Sequence, residues 1–190
     1  ELIGYTSLIP LAVPYRLLRA THMQHHSYTN DPIMDPDYST KAKNFKNAIW
    51  INFFINTSGN NLYKDFVENL EDSQENKRTI FESLLTNISY WTILIIFVWL
   101  GFGLEVACIW WIPRLIALGY VRMTLSWAPH HPMEEQGRYR NTRGFKAKIG
   151  TILTMGMEYH IIHHLHPSIP LNLNPAAYRA LKPILIERNC

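Results

Sequence analysis

Two long apolar runs dominate the pattern of this chain. Ile88 to Leu104 carries no charged residue, and after Glu105 a second run extends from Val106 to Val121. Each approaches the roughly 20 apolar residues that an α-helix needs to cross a bilayer. The glycines of Gly101-Phe102-Gly103 sit at their junction, so the pattern predicts two membrane spans joined by a tight turn. Pro113 and Arg114 interrupt the second span near its middle. An arginine in lipid is costly unless it faces inward to a partner, and the sequence names none.

Elsewhere the apolar runs are broken or short. Leu2 to Leu18 is interrupted by Pro10, Pro14 and Arg16, which predicts an interfacial segment beside the bilayer rather than a span. It leads into a helix that Thr29-Asn30-Asp31-Pro32 ends, because the residue before a proline avoids the α region. Between Lys41 and Tyr63, Phe45, Ile49, Trp50, Phe53 and Phe54 recur at near-helical spacing among basic residues, predicting an amphipathic surface helix. Lys64 to Thr79 is polar and charged, a solvated helix or linker. Phe145 to Met157 is apolar, carries Gly150 and Gly156 and is too short to span, so it reads as a lid or re-entrant element. Pro170, Pro175 and Pro183 punctuate the tail that ends at Cys190. The fold class is therefore all-α, an integral membrane hairpin of two spans with further helices at one membrane face.

Two polar stretches carry the chemistry. His22-Met23-Gln24-His25-His26 and His160-Ile161-Ile162-His163-His164 share the pattern His-x-x-His-His. On a helix, positions i, i+3 and i+4 lie on one face, so each box presents three imidazoles as a patch. One such box could be a solvated helix face; two in one chain of 190 residues point to metal. Six imidazoles exceed what a single tetrahedral ion needs, and two metals sharing the patches is the economical reading. The boxes can meet only on one membrane side, which requires an even number of spans between them, and two are found. Arg16, Arg19, Lys41, Lys43 and Lys46 precede the hairpin, and Arg138, Arg140, Arg143, Lys146 and Lys148 follow it, while its tip has no basic residue. By the positive-inside rule the boxes face the cytoplasm. Asp31, Asp35 and Asp37 follow the first box, and a metal-bound imidazole usually gives its other N–H to a carboxylate or carbonyl. Asp31 and Asp37 are the candidates for that role, against ordinary Asp-Pro turn chemistry.

Composition narrows the picture. The length suits one domain, 1–190, and a net charge of +3 is too mild to argue for nucleic acid. Cys108 and Cys190 supply neither a disulfide framework nor a Cys-x-x-Cys site, so iron–sulfur and thiolate–zinc chemistry are excluded. No Ser/His/Asp arrangement and no flavin, nicotinamide or haem motif is visible.

The paired boxes, with Thr29-Asn30-Asp31-Pro32 and Asp35-Pro36-Asp37, resemble the membrane fatty acid desaturase superfamily. Pro129-His130-His131-Pro132 and Arg138-Tyr139-Arg140-Asn141-Thr142-Arg143 look like its branch of bacterial carotenoid ring hydroxylases. The resemblance covers nearly the whole chain. It implies two non-haem iron ions that use O2 as co-substrate, held by His22, His25, His26, His160, His163, His164 and, after Pro129, His130. His131 and His166 are then neighbours supporting the ligands. The related pattern has an acidic residue where Ser126 stands and a basic one where His131 stands. An earlier His-x-x-x-His-type box of that family does not occur here. The domain is therefore expected to lack its N-terminal part, to be a piece of a four-span fold, and to be inactive by itself.

The resemblance implies an oxidation of a lipid-soluble substrate. Fatty-acyl desaturation in lipid metabolism is the leading expectation and hydroxylation of a β-carotene ring the alternative. A His-rich membrane metal-binding or transport protein is the reading from another class, disfavoured because the first span carries no ligand. Electrons would come from a ferredoxin or cytochrome b5-type donor, for which Arg138 to Arg143 is either a docking surface or a plain solvated loop.

Overall fold

A computed structural model of the protein describes residues 1–55, 73–145 and 150–190. Among them every regular element is helical and no strand occurs, as the all-α reading expects. Helices α1 (Leu2–Leu8) and α2 (Tyr15–Tyr28) lead into α3 (Phe45–Trp50), which runs on as a π-helical turn to Ile55. Two long helices follow, α4 (Gln74–Trp99) and α5 (Gly103–His130). The short α6 (His160–Leu165) and the longer α7 (Asn174–Glu187) come last among the described residues.

α4 and α5, of 26 and 28 residues, are long and apolar enough to cross a membrane. At about 1.5 Å per residue they reach about 39 and 42 Å, beyond the roughly 30 Å hydrocarbon core, so their ends project past it. They turn back on one another where predicted, at Gly101 with φ 93°. Large apolar side chains such as Trp99 (84% exposed) and Ile109 (77%) face outward. The buried stripe of α4 is Thr79, Ser83, Tyr90 and Leu94, and that of α5 is Gly119, Met123, Ser126 and His130. An inside that includes Thr79, Ser83, Gly119 and Ser126, with bulky apolar side chains outside, suits helices solvated by lipid.

Both spans exceed the apolar runs that announced them. α4 begins at Gln74, capped by Ser73 accepting the Asn76 N–H, so the polar stretch up to Thr79 supplies its first turns rather than a separate linker. Residues 64–72 of that stretch lie outside the described residues. α5 continues past Val121 to His130 and contains two π-helical turns, Ala107–Trp111 and Arg122–Trp127. Pro113 and Pro129 each stand two residues after one of them. A proline has no N–H to give and its ring crowds the preceding turn, so a widened turn there keeps the helix continuous. The span thus delivers His130 itself, where the sequence reading had Pro129-His130 follow it.

The partner that Arg114 lacked in the sequence is the chain's own beginning. Its Nε donates to the Leu11 carbonyl (2.6 Å), and its guanidinium lies over the Tyr90 ring at 4.7 Å. One turn earlier, Trp110 Nε1 donates to Pro10 O (2.7 Å). Leu2 to Leu18 is, as its prolines imply, broken into α1 and α2 by this turn. Glu82 of α4 accepts from the Tyr5 hydroxyl and the Arg16 N–H and pairs with the Arg16 guanidinium, holding α2 against the span.

α3 starts at Phe45, capped by Asn44, later than Lys41; residues 56–63 of the predicted surface helix lie outside the described residues. Ala48 and Asn52 are its fully buried face, with Asn52 donating to the carbonyls of Thr40 and Ala48, while Phe45, Trp50 and Phe54 point outward. Phe53 packs on Gly119, where any Cβ would collide with its ring. Away from the spans, Ile161, Ile162 and Leu165 of α6 pack on Leu185 of α7, with Tyr139, Tyr178 and Leu181 around them. Full burial of an isoleucine contributes about 1.5–3 kcal/mol, so this small core fixes the orientation of α6.

Candidate metal centre

The two histidine boxes come together, but not as two patches. His25, His130, His160 and His164 form one group and His22, His26 and His163 another, each with its ligand atoms within 4.8 Å of one another. The i, i+4 pair of each box stays in one group and the remaining histidine crosses to the other. Helix α2 therefore gives two imidazoles to the three-histidine group and one to the four-histidine group, and α6 does the reverse.

In the three-histidine group the Nε2 atoms of His22, His26 and His163 form a triangle with every edge 3.1 Å. A neutral imidazole nitrogen is either a donor or an acceptor. Three mutual neighbours cannot all be donor–acceptor pairs, so hydrogen bonding among them cannot account for the triangle. Its centre lies about 1.8 Å from each nitrogen, inside the roughly 2.0–2.1 Å of an imidazole–metal bond, so one ion reaches all three.

The four-histidine group makes the same point through its outer nitrogens. His25 Nδ1 donates to Asp35 Oδ1 (2.7 Å) and His130 Nδ1 to the Asn141 carbonyl (3.0 Å). Thr29 Oγ1 spends its proton on the His25 carbonyl and so accepts from His164 Nδ1 (3.4 Å). His160 Nδ1 faces Met157 Sδ at 3.1 Å, a weak acceptor. Acceptors at all four Nδ1 atoms put the protons there and leave four Nε2 lone pairs converging. Successive Nε2 atoms are 3.2, 3.2 and 3.0 Å apart along His25, His130, His160 and His164. Lone pairs at that separation repel unless a cation sits among them. The donor set fits a metal in both groups.

Burial favours the neutral form of most of these rings. Burial, reinforced by neighbouring imidazoles, pushes His26 down to about 3 and His163 to about 4, and holds His160 and His164 well below the usual range. His22 is lowered by burial and then by His25. His25 moves the other way: burial opposes its charged form, but the Asp35 hydrogen bond and the charges of Asp37 and Asp35 outweigh it.

The predicted supporting residues are distributed differently. Asp35, not Asp31 or Asp37, holds an imidazole. Asp31 accepts the N–H groups of Ile33 and Met34, closing a turn. Asp37 accepts from Ser126 of α5 (2.7 Å) and lines, with His25, His130, Lys41 and His131, a polar cavity of about 430 Å3. The His131 ring stacks on Trp127 (4.9 Å) and His166 is exposed; both lie outside the two groups. Nothing in the sequence separates Asp35 from its two neighbours, and a backbone carbonyl such as that of Asn141 leaves no residue-type signal.

The Arg138 to Arg143 stretch is a brace. Arg138 donates to the Leu165 carbonyl at the end of α6 (2.7 Å). Arg143 reaches the Ala128 carbonyl, and its N–H and the Thr142 hydroxyl both bond Pro129 O. One loop therefore ties the end of α5 to the helix bearing the second box. Among the described residues, Arg140 is the one arginine of this stretch paired with a surface carboxylate, Glu135. The lid-like segment is described from Gly150; residues 146–149, with Lys146 and Lys148, lie outside the described residues. Thr151 and Thr154 bond the Glu158 carboxylate, Tyr120 bonds Leu153 O, and Ile152 at the tip is 91% exposed.

No curated protein and no solved structure matches the chain. A family model described as fatty acid desaturase does, over residues 1–190. With the match running the length of the chain and two convergent histidine groups beside two helices long and apolar enough to cross a membrane, the chain belongs to the fatty acid desaturase family.

Proposed function

We propose that the seven imidazoles hold two non-haem iron ions and that the protein is an O2-dependent oxidoreductase acting on a fatty-acyl chain, which it desaturates. Family membership makes it a membrane oxidoreductase. The observation that carries the site is the convergence of Nε2 lone pairs in both groups, with every Nδ1 of the four-histidine group held by an acceptor. Bound iron would supply activation of O2 and removal of hydrogen from an unactivated C–H bond.

The protein's own residues position and exclude. α2 and α6 each serve both groups, so the mutual position of the two ions would follow from how α2 is seated on α4 and α6 on α7. Asp35, Asn141 O and Thr29 fix the rings of His25, His130 and His164. Burial of His25, His130 and His160 keeps bulk water from their nitrogens. A lipid-soluble substrate follows from a site at the end of two spans, and the reducing electrons would come from a ferredoxin or cytochrome b5-type protein. The inward use of Arg138 and Arg143 turns the search for its docking surface elsewhere. The Lys and Arg distribution supports a cytoplasmic position for the boxes.

The test is lipid and pigment mass spectrometry on a bacterial host that accumulates β-carotene and expresses the full-length gene. A new acyl double bond with carotene untouched is the expected result. A hydroxylated carotenoid would replace acyl desaturation by ring hydroxylation. Purified protein that holds zinc and consumes no O2 would favour metal binding or transport instead.

A further inference from the structure

We propose that Asn30 is the positioning residue that fixes both His25 and His130 as Nε2 ligands of the four-histidine centre. The inference rests on the metal-centre reading above and concerns what holds two of its ligands in register. His25 and His130 come from different helices, α2 and α5, separated by 105 positions in the chain, yet their Nε2 atoms stand 3.2 Å apart. Each ring is oriented by one acceptor, the Asp35 carboxylate for His25 and the Asn141 carbonyl for His130. Asn30 bonds both acceptors.

Its backbone N–H donates to Asp35 Oδ2 (2.8 Å), so the carboxylate is gripped by Asn30 on one oxygen and by His25 on the other. Its side-chain Nδ2 donates to the Asn141 carbonyl (2.9 Å) and to the Glu135 carbonyl (2.8 Å). The amide can face these groups in one orientation only, because two carbonyls need donors and the amide oxygen has none. The Asn141 carbonyl then has both lone pairs engaged, one by His130 Nδ1 and one by Asn30, which fixes its direction. The residue is 4% exposed and its amide oxygen is buried without a hydrogen-bond partner, so among the described residues the side chain's hydrogen bonds are its two donations.

The backbone explains the residue type. Asn30 lies at φ 70°, the left-handed conformation, two residues after α2 ends at Tyr28. Glycine and asparagine adopt it at little cost, and of these only asparagine carries a donor pair. Asn30 therefore ends the first-box helix, turns the chain so that Asp35 returns to His25, and reaches across to the loop that holds His130.

Asn30→Gly keeps the left-handed backbone and its N–H but deletes both side-chain donations. The intact protein in detergent, loaded anaerobically with ferrous iron, is titrated with a chelator of known iron affinity and followed by Mössbauer spectroscopy. In the wild type two equivalents of iron are expected. In Asn30→Gly one equivalent should be lost to about 10–100-fold less chelator with a changed spectrum, the usual scale for loss of a residue behind a ligand, while the other is unmoved. Asn30→Asp, which keeps the size but has no donor, should lose that equivalent at least as readily. Release of both equivalents within threefold of the wild type, or an equal shift of both, would overturn the proposal while leaving the metal-centre reading intact. A wild type that holds no iron would overturn that reading and this proposal with it.

Discussion

Replacing Asp35 by asparagine tests the four-histidine centre through a group that never touches the metal. The carboxylate accepts three hydrogen bonds: His25 Nδ1–H at 2.7 Å, Asn30 N–H at 2.8 Å and Asp37 N–H at 2.9 Å. It is buried, 7% exposed. Asparagine offers one oxygen and one NH2, so in either orientation at least one of these donors meets another donor. If the NH2 turns to Asn30, the His25 bond survives but without its charge; if it turns to His25, the bond is lost outright. A hydrogen bond to a charged group contributes about 1.5–3 kcal/mol. At about 1.4 kcal/mol per tenfold, loss of that orientation weakens iron at the four-histidine centre by about 10- to 150-fold. The unpaired buried donor costs the fold about 1–3 kcal/mol besides. Chelator competition on the purified protein reads the first effect and thermal unfolding the second. Asp31→Asn is the control: that carboxylate closes a turn and accepts from the exposed Gln136 amide without touching a histidine, and the variant's iron affinity should equal the wild type's. An Asp35→Asn protein whose iron affinity stays within threefold of the control refutes the reasoning.

Four further outcomes are expected. His163→Ala removes one corner of the three-histidine triangle and should abolish iron retention there; near-stoichiometric iron in that variant takes His163 out of the ligand set. Arg138→Ala frees the Leu165 carbonyl at the end of α6 and should lower stability by about 1 kcal/mol, read by denaturant unfolding; a loss under about 0.3 kcal/mol would show that the brace does not bear on α6. Acid should destabilise the metal-free protein. His26 and His163 bind a proton near 6.5 when unfolded but only near 3 and 4 when folded, so their stability is complete above pH 6.5 and lost as pH falls towards 4. His25, raised by Asp35, acts in the opposite sense, and the lowered imidazoles outnumber it. An equal or higher melting temperature at pH 5 than at pH 8 would contradict this. Finally, a tag at Cys190 in sealed vesicles should be cut by protease only from the cytoplasmic face, and cleavage restricted to the other face would reverse the topology.

The apolar hairpin and the histidine boxes were legible because one signal each sufficed: a charge-free run, and a polar residue repeated at i, i+3 and i+4. The length of the spans was not. Thr79 and Ser83 on the buried stripe of α4 are polar, so hydropathy ends before the helix does. The sorting of each box between two groups was hidden because all three imidazoles share one helical face, and only the placement of α2, α5 and α6 in the fold decides which partner each meets. Asp35 stood beside two equivalent carboxylates. Arg138 to Arg143 looked like a charged surface because the carbonyls that use its guanidiniums belong to Ala128 and Leu165, which no side-chain pattern reveals.

The π-helical turn at Arg122–Trp127 also sets a phase. A π turn holds one residue more than an α turn, so everything beyond it is rotated by about 100° from where an unbroken α-helix would carry it. His130, three residues past this turn, has its direction set by that surplus residue. Deleting a single residue within Arg122–Trp127 would leave a span just as apolar and every ligand present, yet aim His130 away from His25 and His160. At this end of the membrane helix, counting matters as much as composition: one residue of length decides whether the fourth imidazole arrives.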